Sequence, residues 1–176
     1  AVDAATFARR LTPALDSAYL GAAAGSRASS TVLDIYWRGV SRLRDPETSQ
    51  PEDSDSTLTV APVLHDTFAL LTYTWAYHGT PQEGLLLIGY QAAVAVVTAY
   101  WADTWHMGDQ VMTCEGTVDG EGGLALRGSY GAPPNQVWGW RIELTQRDDR
   151  TLTLTMYNVT PDGQEALAVE AAFMRP

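Results

Sequence analysis

A chain of 176 residues with 21 acidic and 11 basic side chains, net charge −10, fits one domain and buries enough surface to fold without disulfides or metal. Its acidic surface repels phosphate backbones and anionic lipid, so neither nucleic acid nor membrane is an expected partner. All 11 basic residues are arginine, which excludes Schiff-base chemistry on lysine, a P-loop lysine and pyridoxal phosphate attachment.

In chain order, Asp3 to Leu20 places Phe7, Leu11, Ala14, Leu15, Ala18 and Tyr19 at helical spacing, interrupted by Pro13. Gly21 to Ser30 is small in composition and reads as a linker. Residues 1–30 are therefore expected to form a helical segment and linker, and residues 31–176 a β-barrel, in one domain overall. From Thr31 the period becomes two. Leu33, Ile35, Trp37 and Leu43 share one strand face, opposite Asp34, Arg38 and Arg42.

Asp45 to Ser56, rich in Pro, Ser and acids, reads as a solvated loop. Leu58, Val60 and Pro62 open a second strand, and His65-Asp66 turns it. Ala69, Leu71, Tyr73, Trp75 and Tyr77 mark one face of a third. His78 to Gly84 reads as a hairpin turn. Gly84–Tyr90 and Ala92–Ala102 follow as nearly uncharged strands, joined through Asp103–Asp109 to Val111–Val118. Asp119 to Gly123 carries the Asp-Gly signal of a tight turn before Leu124–Tyr130. Gly131–Gln136, with Pro133-Pro134, is a loop.

The last third alternates most plainly. Trp138, Trp140, Ile142 and Leu144 form one face, then Leu152, Leu154 and Met156, then Leu167, Val169, Ala171 and Phe173. About ten strands at regular spacing predict a mainly β fold, a sandwich or barrel. With no crossover helix between them, the strands are expected to run antiparallel and up-and-down, closed into a barrel that leaves no free edge.

No apolar run reaches the ~18 residues that cross a bilayer. No signal peptide is visible, and a cytoplasmic location is expected. The single cysteine, Cys114, excludes an intrachain disulfide.

The stretch from Ser56 to Arg175 resembles the domain of unknown function 1579 family, within the lipocalin-like (calycin) barrels. The carrying segments are Leu58-Thr59-Val60-Ala61-Pro62-Val63-Leu64-His65 and Gly84-Leu85-Leu86-Leu87-Ile88-Gly89-Tyr90. Trp101-Ala102-Asp103-Thr104, Cys114-Glu115-Gly116-Thr117-Val118-Asp119, Met156-Tyr157 and Phe173-Met174-Arg175 complete them. The family's opening Gly-x-Trp-x-Gly-like segment is represented by Trp37-Arg38-Gly39 or by the tryptophan-less Gly21–Gly25. The resemblance implies a lipocalin-like barrel and no particular activity. Related haem-binding barrels use a histidine near the C-terminus. None follows His106, so haem held that way is not expected, and no cofactor is expected.

Standard catalytic motifs are absent from the sequence. Gly128-Ser129-Tyr130-Gly131 lacks the spacing of a nucleophile elbow. Gly120, Gly122 and Gly123 open no helix and cannot cradle phosphate. His65, His78 and His106 show no short metal-ligand spacing, so no metal is expected. Cys114 lies in phase with Met112 and reads as a small buried hydrophobe. Glu52, Asp53 and Asp55 lack the glycine and spacing of a calcium loop. Asn158-Val159-Thr160 is a glycosylation sequon, relevant only to a secreted chain.

The unusual feature is six tryptophans. With apolar faces inward, Trp37, Tyr73, Trp75, Trp101, Trp138 and Trp140 line the interior. They either fill the core or wall a cavity, which a barrel of more than eight strands has the diameter to hold. Asp103, in phase with Trp101 and Trp105, either caps backbone amides at a turn or orients a polar ligand head, with a pKa raised by its apolar surroundings. His65 and His106, at strand ends, are expected to rim the same mouth.

Three readings follow. The first is a binding barrel for a small hydrophobic or aromatic molecule, with Asp103 and His106 as its polar contact. The second is an enzyme using those two residues as an acid–base pair. The third is a filled barrel with an interaction role, paired as a homodimer.

Overall fold

A computed structural model describes residues 35–65, 67–91, 93–118, 123–148 and 150–176. The expected N-terminal helix, the linker and the boundary at residue 31 lie outside the described residues.

Ten strands follow one another: β1 (Ile35–Arg44), β2 (Pro51–Val63), β3 (Phe68–Tyr77), β4 (Thr80–Gln91), β5 (Val96–Asp103), β6 (Met112–Val118), β7 (Leu124–Ala132), β8 (Gln136–Gln146), β9 (Thr151–Val159) and β10 (Glu165–Met174). Each pairs antiparallel with the next. The last pairs with the first, from Arg38 opposite Met174 to Leu43 opposite Val169, which closes the barrel. Closure gives every strand two neighbours and removes the edges along which a meander would aggregate. Among the described residues no helix is long and apolar enough to cross a membrane.

An up-and-down order places alternate connections at opposite ends. The β1–β2, β3–β4, β5–β6, β7–β8 and β9–β10 connections form what we term the upper end. The remaining connections, with the start of β1 and the finish of β10, form the lower end.

Strand periodicity puts every second side chain inside. Trp37, Leu58, Trp101, Leu126, Ile142 and Phe173 are among the residues with almost no solvent exposure. A ten-stranded barrel is wider than the eight-stranded kind that ordinary side chains fill. The bulk that fills this one comes from indoles: Trp37, Trp75, Trp101 and Trp140 all belong to the core cluster. Towards the lower end the void among Val60, Leu71, Ile88, Leu144 and Leu152 measures only about 10 Å³.

Four local features differ from the sequence expectation. The segment expected to be a solvated loop from Asp45 to Ser56 is strand from Pro51 onward. Its alternation is hidden because both faces are polar. Ser54 and Ser56 turn towards β3, where Ser54 Oγ accepts the Ala76 N–H at 3.0 Å and Ser56 Oγ donates to the Thr74 carbonyl at 2.6 Å. On the outer face Asp53 holds Arg42 by two bonds of 2.7 and 2.8 Å.

The His78–Gly84 turn is only two residues long. His78 and Gly79 both have positive φ, 46° and 74°, and β4 starts at Thr80. Such a turn follows the twist of its flanking strands. The Ala92–Ala102 strand starts later, at Val96, after a turn in which Ala95 has φ 56°. Finally, the β9–β10 register shifts between Leu167 and Val169. At this bulge Ala168 and Val169 are both buried, whereas Leu167 is half-buried.

Candidate functional site

The upper end holds the polar chemistry of the interior. Asp103 is the last residue of β5, in phase with Trp101, so its side chain faces inward and is fully buried. The chain then turns sharply towards β6, with the Met107 N–H donating to the Asp103 carbonyl at 3.0 Å. Asp103 Oδ1 caps this turn, accepting the backbone N–H groups of Trp105 and His106 at 3.0 and 2.9 Å. The same oxygen lies 3.0 Å from His106 Nδ1. Oδ2 accepts the Tyr73 hydroxyl at 2.9 Å and Trp75 Nε1–H at 3.2 Å. The Tyr73 oxygen in turn accepts Trp101 Nε1–H at 2.8 Å. The turn-capping role expected of Asp103 is thus observed, and the same carboxylate anchors an interior network.

The expected rise in its pKa is reversed. Burial pushes the carboxyl up, but the His106 side chain and its charge, the His106 backbone N–H and the Tyr73 hydroxyl together hold it below its ordinary value. A buried acid surrounded by donors stays ionised. The Tyr73 phenol moves the other way, pushed well up by burial and by the Asp103 charge, so it serves as a hydrogen-bond donor.

With Nδ1 3.0 Å from the Asp103 carboxylate, Nε2 is the ring nitrogen that turns away from it. The His106 ring packs among four indoles. Ring centroids are 4.7 Å away for Trp105, 5.4 Å for Trp75 and Trp140, and 5.7 Å for Trp101. Nε2 is buried and meets no hydrogen-bond partner among the described residues. Beneath it lies a void of about 10 Å³, bounded by Ser41, Ser56, Asp103 and His106 among others. That is the size of one water site.

Above this network the barrel is open. A cavity of about 670 Å³ occupies the upper end, within the range that holds small organic ligands. Trp101 and Trp140, almost wholly buried, lie beneath it as its floor, stacked at 5.2 Å with 9° between their planes. Trp105 and Met107, from the β5–β6 connection, hang over it. Met112, Tyr130 and Ala168 supply wall, and Arg44, Gln110 and Asn158 supply polar groups.

Of the side chains anticipated from sequence, Trp101, Trp140 and His106 border this cavity. Tyr73, Trp75 and Asp103 sit in the network below it. Trp37 is buried towards the lower end, with the Arg175 guanidinium 5.7 Å from its ring centre. Trp138 is half-buried at the start of β8, donates to Gln136 at 3.2 Å and is not part of the cavity wall. His65 does not share a mouth with His106, because the β2–β3 turn lies at the lower end.

Residues that sequence reasoning missed are Arg44, Met107, Tyr130, Asn158 and Ala168. Tyr130 had a usable signal, since it is in phase with Leu124 and Leu126. Ala168 had none, since the bulge reverses its face.

Also at the upper end, Asp45, Glu52 and His78 bring ligand-type atoms within 4.8 Å of one another. Their chemistry is already spent on the turns. Asp45 accepts the Glu47 and Thr48 N–H groups at 2.8 Å and the Tyr77 hydroxyl at 3.0 Å, and Glu52 accepts the His78 N–H at 2.6 Å. Cys114 is buried, and burial pushes its thiol up to about 11. A thiol reagent such as DTNB is expected to label it only after unfolding. Rapid labelling of the native protein would contradict this placement.

No curated protein matches the chain. Among solved structures, the crystal structure of Rv2717c from M. tuberculosis is similar in fold, with a TM-score of 0.54 and 15% identity over 80% of this chain and 91% of that one. Residues 36–175 match the family described as protein of unknown function (DUF1579). Since this match spans nearly the whole described barrel, the chain belongs to the DUF1579 family.

Proposed function

We propose that this protein is a lipocalin-like binding barrel that holds a small, largely apolar or aromatic molecule in the cavity at its upper end. The observation that carries the reading is the contrast between the two halves of the interior. Among the lower-end side chains Val60, Leu71, Ile88, Leu144 and Leu152 the void is about 10 Å³, while the upper half leaves about 670 Å³ over the Trp101–Trp140 floor. A barrel with only a packing role has no reason to fill one half and open the other. Trp105 and Tyr130, both only partly buried beside the cavity, offer a flat ring the aromatic contacts such pairs prefer.

The neutral probe N-phenyl-1-naphthylamine tests this. It is expected to bind saturably, one per chain, with energy transfer from tryptophan. Trp105→Ala, which removes the overhanging ring, is expected to weaken binding by roughly threefold to tenfold with the far-ultraviolet circular dichroism unchanged. A linear, non-saturable response would count against the reading.

A second reading is acid–base chemistry by His106 and Asp103. The 3.0 Å separation is the reach that such a pair requires. Its difficulty is that Nε2 is enclosed, so a substrate would have to displace an indole. The ¹⁵N shift of Nε2 separates the readings. A large change at probe saturation favours chemistry at His106, and an unmoved signal favours binding alone.

A further inference from the structure

We infer that the ligand of this cavity is an organic acid, with its apolar body on the Trp101–Trp140 floor and its carboxylate at Arg44; this rests on the binding reading above. The inference starts from a charge anomaly. The chain has 21 acidic residues among 176, yet among the described residues no aspartate or glutamate lines the cavity. The charged residue that borders the cavity is instead Arg44, exposed at the end of β1.

Arg44 is also uncommitted. Among the described residues, Arg42 is held by Asp53, while Arg127 and Arg141 both bind Glu165. Among the described residues the Arg44 side chain, at the end of β1, makes no hydrogen bond or ion pair. The carboxylate next to it in the chain, Asp45, is buried and engaged by Tyr77 and two backbone N–H groups.

The neutral polar groups of the cavity supply further donors. The Asn158 Oδ1 accepts the Tyr130 hydroxyl at 2.7 Å, which leaves the amide N–H groups of Asn158 available. Gln110 adds a second amide. A guanidinium with neutral amides nearby is a setting that favours an anion and disfavours a cation. The indoles offer no compensating cage for a cation, because His106 already occupies the space among them.

The test displaces N-phenyl-1-naphthylamine from the whole protein with three matched probes: decanoate, 1-decanol and decylammonium. Decanoate is expected to displace it at roughly tenfold lower concentration than decanol, the size of a charge-assisted hydrogen bond at a partly exposed site. Decylammonium is expected to be weaker still. Arg44→Gln should erase the advantage of decanoate and Arg44→Lys should keep most of it. Arg38→Gln, on the outer face, should change nothing.

If the three probes compete equally, or if decanoate keeps its advantage in Arg44→Gln, the acid inference is wrong while the binding reading stands. If the naphthylamine itself fails to bind, the binding reading falls and takes this inference with it.

Discussion

Asp103→Ala is expected to destabilise the fold by about 3–5 kcal/mol, because it strips a buried charge from its partners. For a chain of 176 residues this corresponds to a fall in melting temperature of roughly 10 °C. The cost comes from what is left behind. Tyr73, Trp75, the two backbone N–H groups of the turn and His106 Nδ1 would all lose their acceptor in an apolar interior. The β5–β6 connection would lose the cap that aims Trp105 and Met107 over the cavity.

The same residue gives a pH dependence of definite sign. The folded carboxyl lies below its ordinary value, which in an unfolded chain is about 3.9. Its contribution to stability is therefore complete above that range and drains away as pH falls through the folded-state value. The stability gap between the wild type and Asp103→Asn should be constant near neutrality and shrink below about pH 4. A gap that widens on acidification would mean that Asp103 is not ionised in the native state.

Gly39→Ala should be nearly as damaging, by about 3 kcal/mol, for a different reason. Gly39 lies on β1 opposite Phe173, at the seam where the last strand closes on the first. A Cβ there would collide with the Ala172 carbonyl oxygen and come within 2.8 Å of its carbon and 2.9 Å of Phe173 Cα. These are backbone atoms, so no side chain can swing aside. The strands would have to part along the closing ladder. Gly131→Ala is the control, since a Cβ at that position meets nothing within 4 Å. Denaturant unfolding should show a lowered midpoint for the first variant and an unchanged one for the second. Equal midpoints would place the seam elsewhere.

The parts of this fold that were legible in the sequence are those where one face is apolar and the other polar. β8 and β9 read cleanly because Ile142, Leu144, Leu152 and Leu154 alternate with charged or hydroxyl side chains. The first half of β2 was illegible because Glu52 and Ser54 on one face are as polar as Asp53 and Asp55 on the other. Its strand character comes from pairing with β1, a long-range effect that no local pattern carries.

The candidate site divides in the same way. Asp103 and the Trp101–Trp140 pair were visible by phase. Arg44, Met107 and Asn158 were not, because a cavity mouth is assembled from strand ends and connections, where periodicity stops. Trp138 shows the limit of phase from the other side: it keeps the parity of Trp140 but lies one step further towards the strand end, where the interior has given way to solvent.

The most direct test uses 5-fluorotryptophan-labelled protein, whose six indoles give separate ¹⁹F resonances assignable by single Trp→Phe variants. On titration with N-phenyl-1-naphthylamine, Trp101, Trp105 and Trp140 should shift together and saturate at one equivalent, while Trp37 at the lower end stays fixed. Shifts at Trp37 alone, or no saturable shift at any indole, would contradict a ligand seated in the upper cavity.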